Sequence, residues 1–167
     1  MIASILSFDA EALLFIQERL RLPLLNGLMV FFSLIGDNGL VWILTGLVLL
    51  IFKKTRRGGL LLLLSLLGAY LLNDILLKPL VARIRPYEAI SGLEILVAPL
   101  SSFSFPSGHT NASFAAAFAL TVFFGRPGAW AYLPALLISF SRCYVGVHYP
   151  TDVLVGMHAH IAAGKRD

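Results

Sequence analysis

Apolar runs broken by glycine, proline and basic turns dominate this chain, and they restrict it to helices buried in something apolar. The runs lie at Leu22 to Ile35, Leu40 to Phe52, Leu60 to Leu77, Ala112 to Phe124, Ala129 to Phe140 and Asp152 to Ala163. Six such runs in 167 residues, with 58% hydrophobic and only 13% charged residues, do not suit a water-soluble core. Soluble domains carry about a quarter charged residues. A mean hydropathy of +0.85 agrees with a bilayer as the solvent. The expectation is an all-α integral membrane bundle of about six transmembrane helices, forming a single domain over residues 1–167. Several runs fall short of the ~20 residues of a full span, so the helices must extend into polar flanks or cross a thin bundle.

Residues 1–21 differ from the rest. Between Phe8 and Leu20, apolar residues alternate with Asp9, Glu11, Gln17, Glu18 and Arg19, the pattern of an amphipathic helix lying at the membrane surface. The helical core is then residues 22–163. Asp9, Glu11 and Glu18 also argue against a cleaved signal peptide, so the N-terminus is expected to be retained. The lone cysteine, Cys143, matches no metal spacing and is expected simply to pack.

The formal charge of +4 does not imply a nucleic-acid partner, because the basic residues sit in turns between apolar runs. If the runs alternate in direction, Arg19 and Arg21, Lys53 to Arg57, Arg126 and Lys165 with Arg166 share one side, expected to be cytoplasmic. The other side then holds Lys78, Arg83, Arg85 and Arg142 at helix ends. These four oppose the positive-inside tendency and require another explanation.

The explanation lies in three stretches at that side: KPLVARIRP (Lys78 to Pro86), PSGH (Pro106 to His109) and SRCYVGVHYPTD (Ser141 to Asp152). Lys78, Arg85 and Arg142 are suited to neutralise a phosphoryl group, the arginines through forked donors. Ser107 and Gly108 precede a helix, where free N–H groups and the helix dipole favour an anion. His148 and Asp152 lie one turn apart, so the carboxylate can hold one imidazole nitrogen and leave the other as a nucleophile. His109 is then the general acid for the leaving oxygen.

These stretches match, in order and without substitution, the motifs K-x-x-x-x-x-x-R-P, P-S-G-H and S-R-x-x-x-x-x-H-x-x-x-D. By them the chain resembles the type-2 phosphatidic acid phosphatase superfamily, from about Leu22 to Asp152. The resemblance implies a metal-free membrane phosphatase with a six-helix core and its site at the outer face. It implies phosphate binding by Lys78, Arg85, Ser107, Gly108 and Arg142, acid catalysis by His109 and a phosphoenzyme on His148, activated by Asp152. It also implies a lipid phosphate substrate, with undecaprenyl diphosphate favoured by analogy with small bacterial members and phosphatidylglycerophosphate or phosphatidic acid as alternatives. A non-catalytic headgroup-binding protein is the competing reading of another class; haloperoxidase chemistry is disfavoured by the hydrophobicity. The chain departs from the family after Asp152, where the last helix would reach only ~20 Å by Lys165, less than the ~30 Å hydrocarbon core.

Other polar residues have plainer readings. Arg83 is expected to be an interfacial anchor that snorkels to headgroups. Asp74, one turn before Lys78, is placed to pair with it. His158 and His160, at i, i+2, point to different helix faces and do not make a metal site. Tyr70, Tyr87, Trp130, Tyr132 and Tyr149 are expected in the aromatic belts, and Glu88 and Glu94 carry no assigned role.

Overall fold

The computed structural model describes residues 2–158. The end of the last apolar run, with His160, Lys165 and Arg166, lies outside the described residues. The described chain is helical, with no β-strand among the described residues. Its helices are α1 (Ile2–Phe15), α2 (Pro23–Ile35), α3 (Leu40–Ile51), α4 (Arg56–Tyr70), α5 (Lys78–Val81), α6 (Pro86–Ala89), α7 (Gly108–Phe124), α8 (Tyr132–Tyr144) and α9 (Pro150–His158). A wide π-helical segment, Leu71–Leu77, joins α4 to α5, and another, Ile16–Leu20, extends α1.

Helix α7 is the axis of the bundle. Its alanines Ala115, Ala116, Ala117 and Ala119 are buried, and side chains this small let neighbouring helices approach closely. Around them Trp42, Leu62, Leu66, Leu120, Ala135 and Ile138 form one core cluster, and Trp42 donates its indole N–H to Ser113 Oγ at 2.9 Å. Between α3 and α4 the approach is closer still. A Cβ on Gly59 would lie 2.6 Å from the Gly46 carbonyl oxygen, so only glycine fits there. A second cluster, with Leu13, Ile16, Met29, Leu93, Cys143, Tyr144, Tyr149 and Val153, ties α1 and α2 to the ends of α8 and α9. Cys143 packs there, as expected.

Among the described residues one helical stretch, Arg56–Ala89, is long and apolar enough to cross a membrane. Helices α2 and α3 pass the same test only together, bent by 49° at the Gly36 to Gly39 turn. As one broken span they would make a single crossing, whereas the sequence read as two runs of opposite direction; of the six expected crossings, one clear apolar span stands among the described residues. The physical reason is that α2 and α3, at 13 and 12 residues, are each too short for a crossing of ~20 residues.

This join also moves Arg21. Its guanidinium donates to the Tyr144 carbonyl at 3.0 and 3.2 Å and to the Glu94 carbonyl at 2.9 Å, at the end where α8 terminates. The basic turn after α3 lies at the other end, where Gly58 closes on Phe123 near the end of α7. Arg21 thus shares an end with Lys78, Arg85 and Arg142 and not with Lys53 to Arg57.

Large apolar side chains cover the outside. Leu44, Leu47, Leu60, Leu64, Val122, Leu133 and Leu136 are all exposed along the bundle, an apolar surface far larger than a soluble monomer tolerates.

Candidate active site

The π-helical segment after α4 is where the site begins. The buried Asn73 donates to the Pro106 carbonyl at 3.4 Å, and Asn111 of α7 donates to the Ala69 carbonyl at 2.9 Å. A helix that hands a carbonyl to a side chain in this way widens locally, and such bulges recur at functional sites. The bulge carries Asp74 and Lys78 toward the start of α7. Lys78 Nζ pairs with Asp74 Oδ1 at 2.5 Å, and a Cβ built on Gly108 would meet both the Asp74 carboxylate and Lys78 Nζ within 3.5 Å. Gly108 is thus the residue that lets the backbone come up against these charges.

Lys78, Arg85, Gly108, His109 and His148 line one cavity of about 670 Å³. Asp37, Asn38, Asp74 and Ser102 complete its polar wall, and Ile43, Leu63, Leu66, Leu67 and Tyr70 its apolar wall. The break between α2 and α3 opens directly onto it.

Arg85 is fixed before any ligand arrives. Its Nε donates to the Ser102 carbonyl at 2.8 Å and one terminal nitrogen to the Val147 carbonyl at 2.9 Å. That same nitrogen lies 3.1 Å from His148 Nε2. The other ring nitrogen, Nδ1, lies 3.4 Å from Asp152 Oδ2. With Asp152 accepting the Nδ1 proton, the Nε2 lone pair faces the Arg85 guanidinium at the cavity wall. His148 sits in the loop between α8 and α9, where burial holds its imidazole well below the ordinary histidine value, with the Arg85 and Arg142 charges adding to the effect. The neutral form required of a nucleophile is the stable one.

Arg142 is 1% exposed, and only one of its nitrogens is engaged, by Ser33 Oγ of α2. Its Nε and remaining terminal nitrogen have no partner. Buried cationic donors left open carry a large desolvation penalty, which an anion would offset.

His109 has a partner that sequence reasoning did not assign. Asp37 Oδ1 lies 2.8 Å from His109 Nε2. The signal was present only as an acidic residue inside a glycine turn between two apolar runs.

Not every expected residue reaches the cavity. Ser107 is buried and caps α7, accepting from the Thr110 N–H at 3.4 Å and the Thr110 hydroxyl at 3.1 Å. Asp152 stands behind His148, where Ser104 Oγ donates to its Oδ2 at 2.5 Å. Arg83 does not snorkel: it is ion-paired to Asp9 at 2.7 Å and Asp152 at 2.6 Å, because two buried carboxylates are a stronger partner than a headgroup at the rim. Tyr149 is likewise no belt residue, since the Arg83 guanidinium sits 3.7 Å above its ring. Trp130 is exposed, and Tyr70, also exposed, lines the cavity. Among the described residues no group of three or more histidine, cysteine, aspartate or glutamate side chains is placed to hold a metal ion.

The sequence profile of the PAP2 superfamily matches residues 58–164, which include all three motifs. The chain belongs to the PAP2 superfamily. It is 38% identical over 140 residues to an undecaprenyl-diphosphatase from Sulfolobus acidocaldarius, covering 81% of this chain and 66% of that one. The chain thus spans just under two thirds of that relative's length. Two crystal structures share the fold. Aquifex aeolicus LpxE superimposes with a TM-score of 0.79 at 31% identity, covering 94% of this chain and 92% of its own. A transmembrane PAP2 type phosphatidylglycerolphosphate phosphatase from Bacillus subtilis gives 0.72 at 32% identity, covering 92% and 79%. For this PAP2 chain, both likenesses span more than nine tenths of its length.

Proposed function

We propose that this chain is an integral membrane phosphatase that removes a phosphoryl group from a lipid through a phosphohistidine on His148. The observation that carries the reading is one cavity wall formed by Lys78, Arg85, Gly108, His109 and His148, with Arg142 buried nearby and two of its donors open. The apolar wall of the same cavity suits a substrate that carries a lipid tail.

In this reading Lys78, Arg85 and Arg142 hold the phosphoryl oxygens, together with N–H groups at the start of α7, where Ser107 shapes the turn. His148 Nε2 attacks phosphorus, forming an N–P bond as the P–O bond to the leaving group breaks. His109 gives that oxygen its proton, its other ring nitrogen steadied by Asp37. Water then attacks the phosphohistidine, His109 takes up the water's proton as the O–P bond forms, and inorganic phosphate leaves with His148 neutral again. Charge on the equatorial oxygens is met by fixed cations and dipoles, the main source of rate in phosphoryl transfer. The residues supply that charge themselves, so no metal is assigned a role.

A polyprenyl diphosphate of the undecaprenyl class is the favoured substrate, supported by the likeness to the Sulfolobus enzyme. Phosphatidylglycerophosphate or phosphatidic acid would meet the same phosphate-binding residues. The lipid bilayer is the other partner, with no role for nucleic acid. Helices α2 with α3, α4 with its extension, α7, α8 and α9 would make a multi-pass bundle. The site end faces the extracytoplasmic side and the Lys53 to Arg57 turn the cytoplasm, in line with the positive-inside tendency.

The test is phosphate release from a panel of lipid phosphates and diphosphates in detergent with chelator present. Turnover that persists with chelator and vanishes in His148→Ala is expected. Release from no lipid, with binding retained, would make the chain a headgroup-binding protein, and strict dependence on added magnesium would overturn the mechanism.

A further inference from the structure

Arg83 lies outside the cavity wall, yet it is among the most heavily engaged side chains near it. The chain turns back on itself at Ala82, a non-glycine residue in the left-handed region at φ 49°, and this reversal directs Arg83 inward. One terminal nitrogen donates to Thr151 Oγ1 at 2.8 Å and to Asp152 Oδ1 at 2.6 Å. The other donates to Asp9 Oδ2 at 2.7 Å. The guanidinium carbon lies 3.7 Å from the centroid of the Tyr149 ring, a cation–π contact on a further side.

Asp9 is fully buried, although it belongs to a helix whose pattern suggested a membrane-surface role. Its two oxygens accept the backbone N–H of Thr151 at 3.1 Å and the Thr151 hydroxyl at 2.5 Å. Helix α1 therefore grips the first turn of α9, one residue before Asp152. The backbone of Arg83 is held too, because its carbonyl accepts the Ser104 N–H at 2.8 Å, and the Ser104 hydroxyl in turn reaches Asp152.

We infer that Arg83, clamped by Asp9 of α1, is a positioning residue that orients the Asp152 carboxylate toward His148, so that the N-terminal helix is part of the catalytic apparatus. The inference rests on the phosphatase reading and adds to it. The two Asp152 oxygens then face different partners. Oδ1 is taken by Arg83, while Oδ2 receives Ser104, the Tyr149 N–H at 3.1 Å and His148 Nδ1. Losing the Arg83 contact frees the carboxylate to rotate away from an imidazole it already meets at a long 3.4 Å. Lysine cannot replace this arginine, since a single ammonium cannot bridge Asp9, Thr151 and Asp152 in one plane.

The experiment measures kcat and KM for a polyprenyl diphosphate in detergent with wild type, Arg83→Lys, Asp9→Asn and the exposed α1 control Glu11→Gln. Each protein is checked for a monodisperse elution profile and its unfolding temperature. For Arg83→Lys, kcat should fall on the order of 10²-fold with KM within twofold of wild type, the scale set by misplacing a reacting group by about 1 Å. Asp9→Asn should fall about tenfold, a partial loss of the same orientation, and Glu11→Gln should match wild type. If Arg83→Lys does not fold, Asp9→Asn carries the test, because it keeps the shape of the carboxylate while removing its charge and one of its two acceptors. Wild-type kcat in folded Asp9→Asn and Arg83→Lys overturns the inference and leaves the phosphatase reading intact. A raised KM at unchanged kcat also overturns it, making Arg83 a substrate ligand. No release by wild type with any lipid phosphate overturns both.

Discussion

His109 Nε2 lies 2.8 Å from Asp37 Oδ1, so the two histidines of the cavity each have an aspartate behind them. The pairs differ in setting. Asp152 is fully buried, while the Asp37 side chain is about half exposed, at 48%. The first arrangement suits a neutral nucleophile and the second an acid that must exchange protons with water.

Asp37→Asn should therefore slow turnover most where the leaving group is a poor one. A lipid monophosphate, whose leaving group is an alkoxide, needs the His109 proton more than a diphosphate, whose leaving group is a phosphate. The expected loss is roughly 10-fold for the monophosphate and small for the diphosphate, a fraction of the 10²–10⁴ that general acid catalysis supplies, because His109 itself is kept. Comparing kcat for matched substrates with both leaving groups decides it. Equal losses would leave Asp37 as a structural cap.

Arg142→Met should raise the unfolding temperature while abolishing vanadate binding. Replacing a buried charge by an apolar side chain of similar length stabilises by about 1–4 kcal/mol in comparable cases. The open Nε and terminal nitrogen make this arginine a cost to the empty protein. Vanadate should raise the unfolding temperature of wild type and leave that of the variant unchanged. A destabilised variant would mean that the Ser33 contact matters more than the penalty.

Acid should destabilise the protein in part through His148. Its folded value is depressed by burial, so below the ordinary value of about 6.5 the unfolded chain binds a proton that the native chain does not. Stability then rises with pH through this window, and falls as pH drops below it. His148→Asn should flatten the dependence of unfolding temperature between pH 6.5 and 4.5 relative to wild type. A parallel slope in both proteins would show that His148 is not neutral when folded.

Labelling in a Cys143→Ala background tests the topology. A cysteine at Ser91 should react with an impermeant reagent in intact cells, whereas one at Thr55 should react only after lysis. If α2 and α3 make one bent span, a cysteine at Arg19 should behave like Ser91 and unlike Thr55. Protection at Arg19 would restore two separate crossings.

How much of this was legible beforehand follows from which interactions are local. Helix content, the apolar runs and the three motifs are local patterns, and Lys78, Arg85, Gly108, His109 and His148 follow from them because each motif fixes its own helix end. The i, i+4 spacing even placed Asp74 beside Lys78 and Asp152 behind His148. The partners that lie far along the chain were not legible. Asp37 meets His109 across 72 residues and Asp9 meets Arg83 across 74, and no periodicity links such pairs. Hydropathy likewise could not say that α2 and α3 continue one another, since a turn that reverses the chain and one that bends it by 49° contain the same glycines. Nor could it separate an arginine held by buried carboxylates from one reaching to headgroups. The sequence by itself determined a helical chain with apolar faces and three charged motifs at helix ends, because apolar runs and short motifs encode burial and charge. Only the tertiary structure decided that Asp37 stands behind His109 and on which end Arg21 lies, because those depend on how helices meet in space.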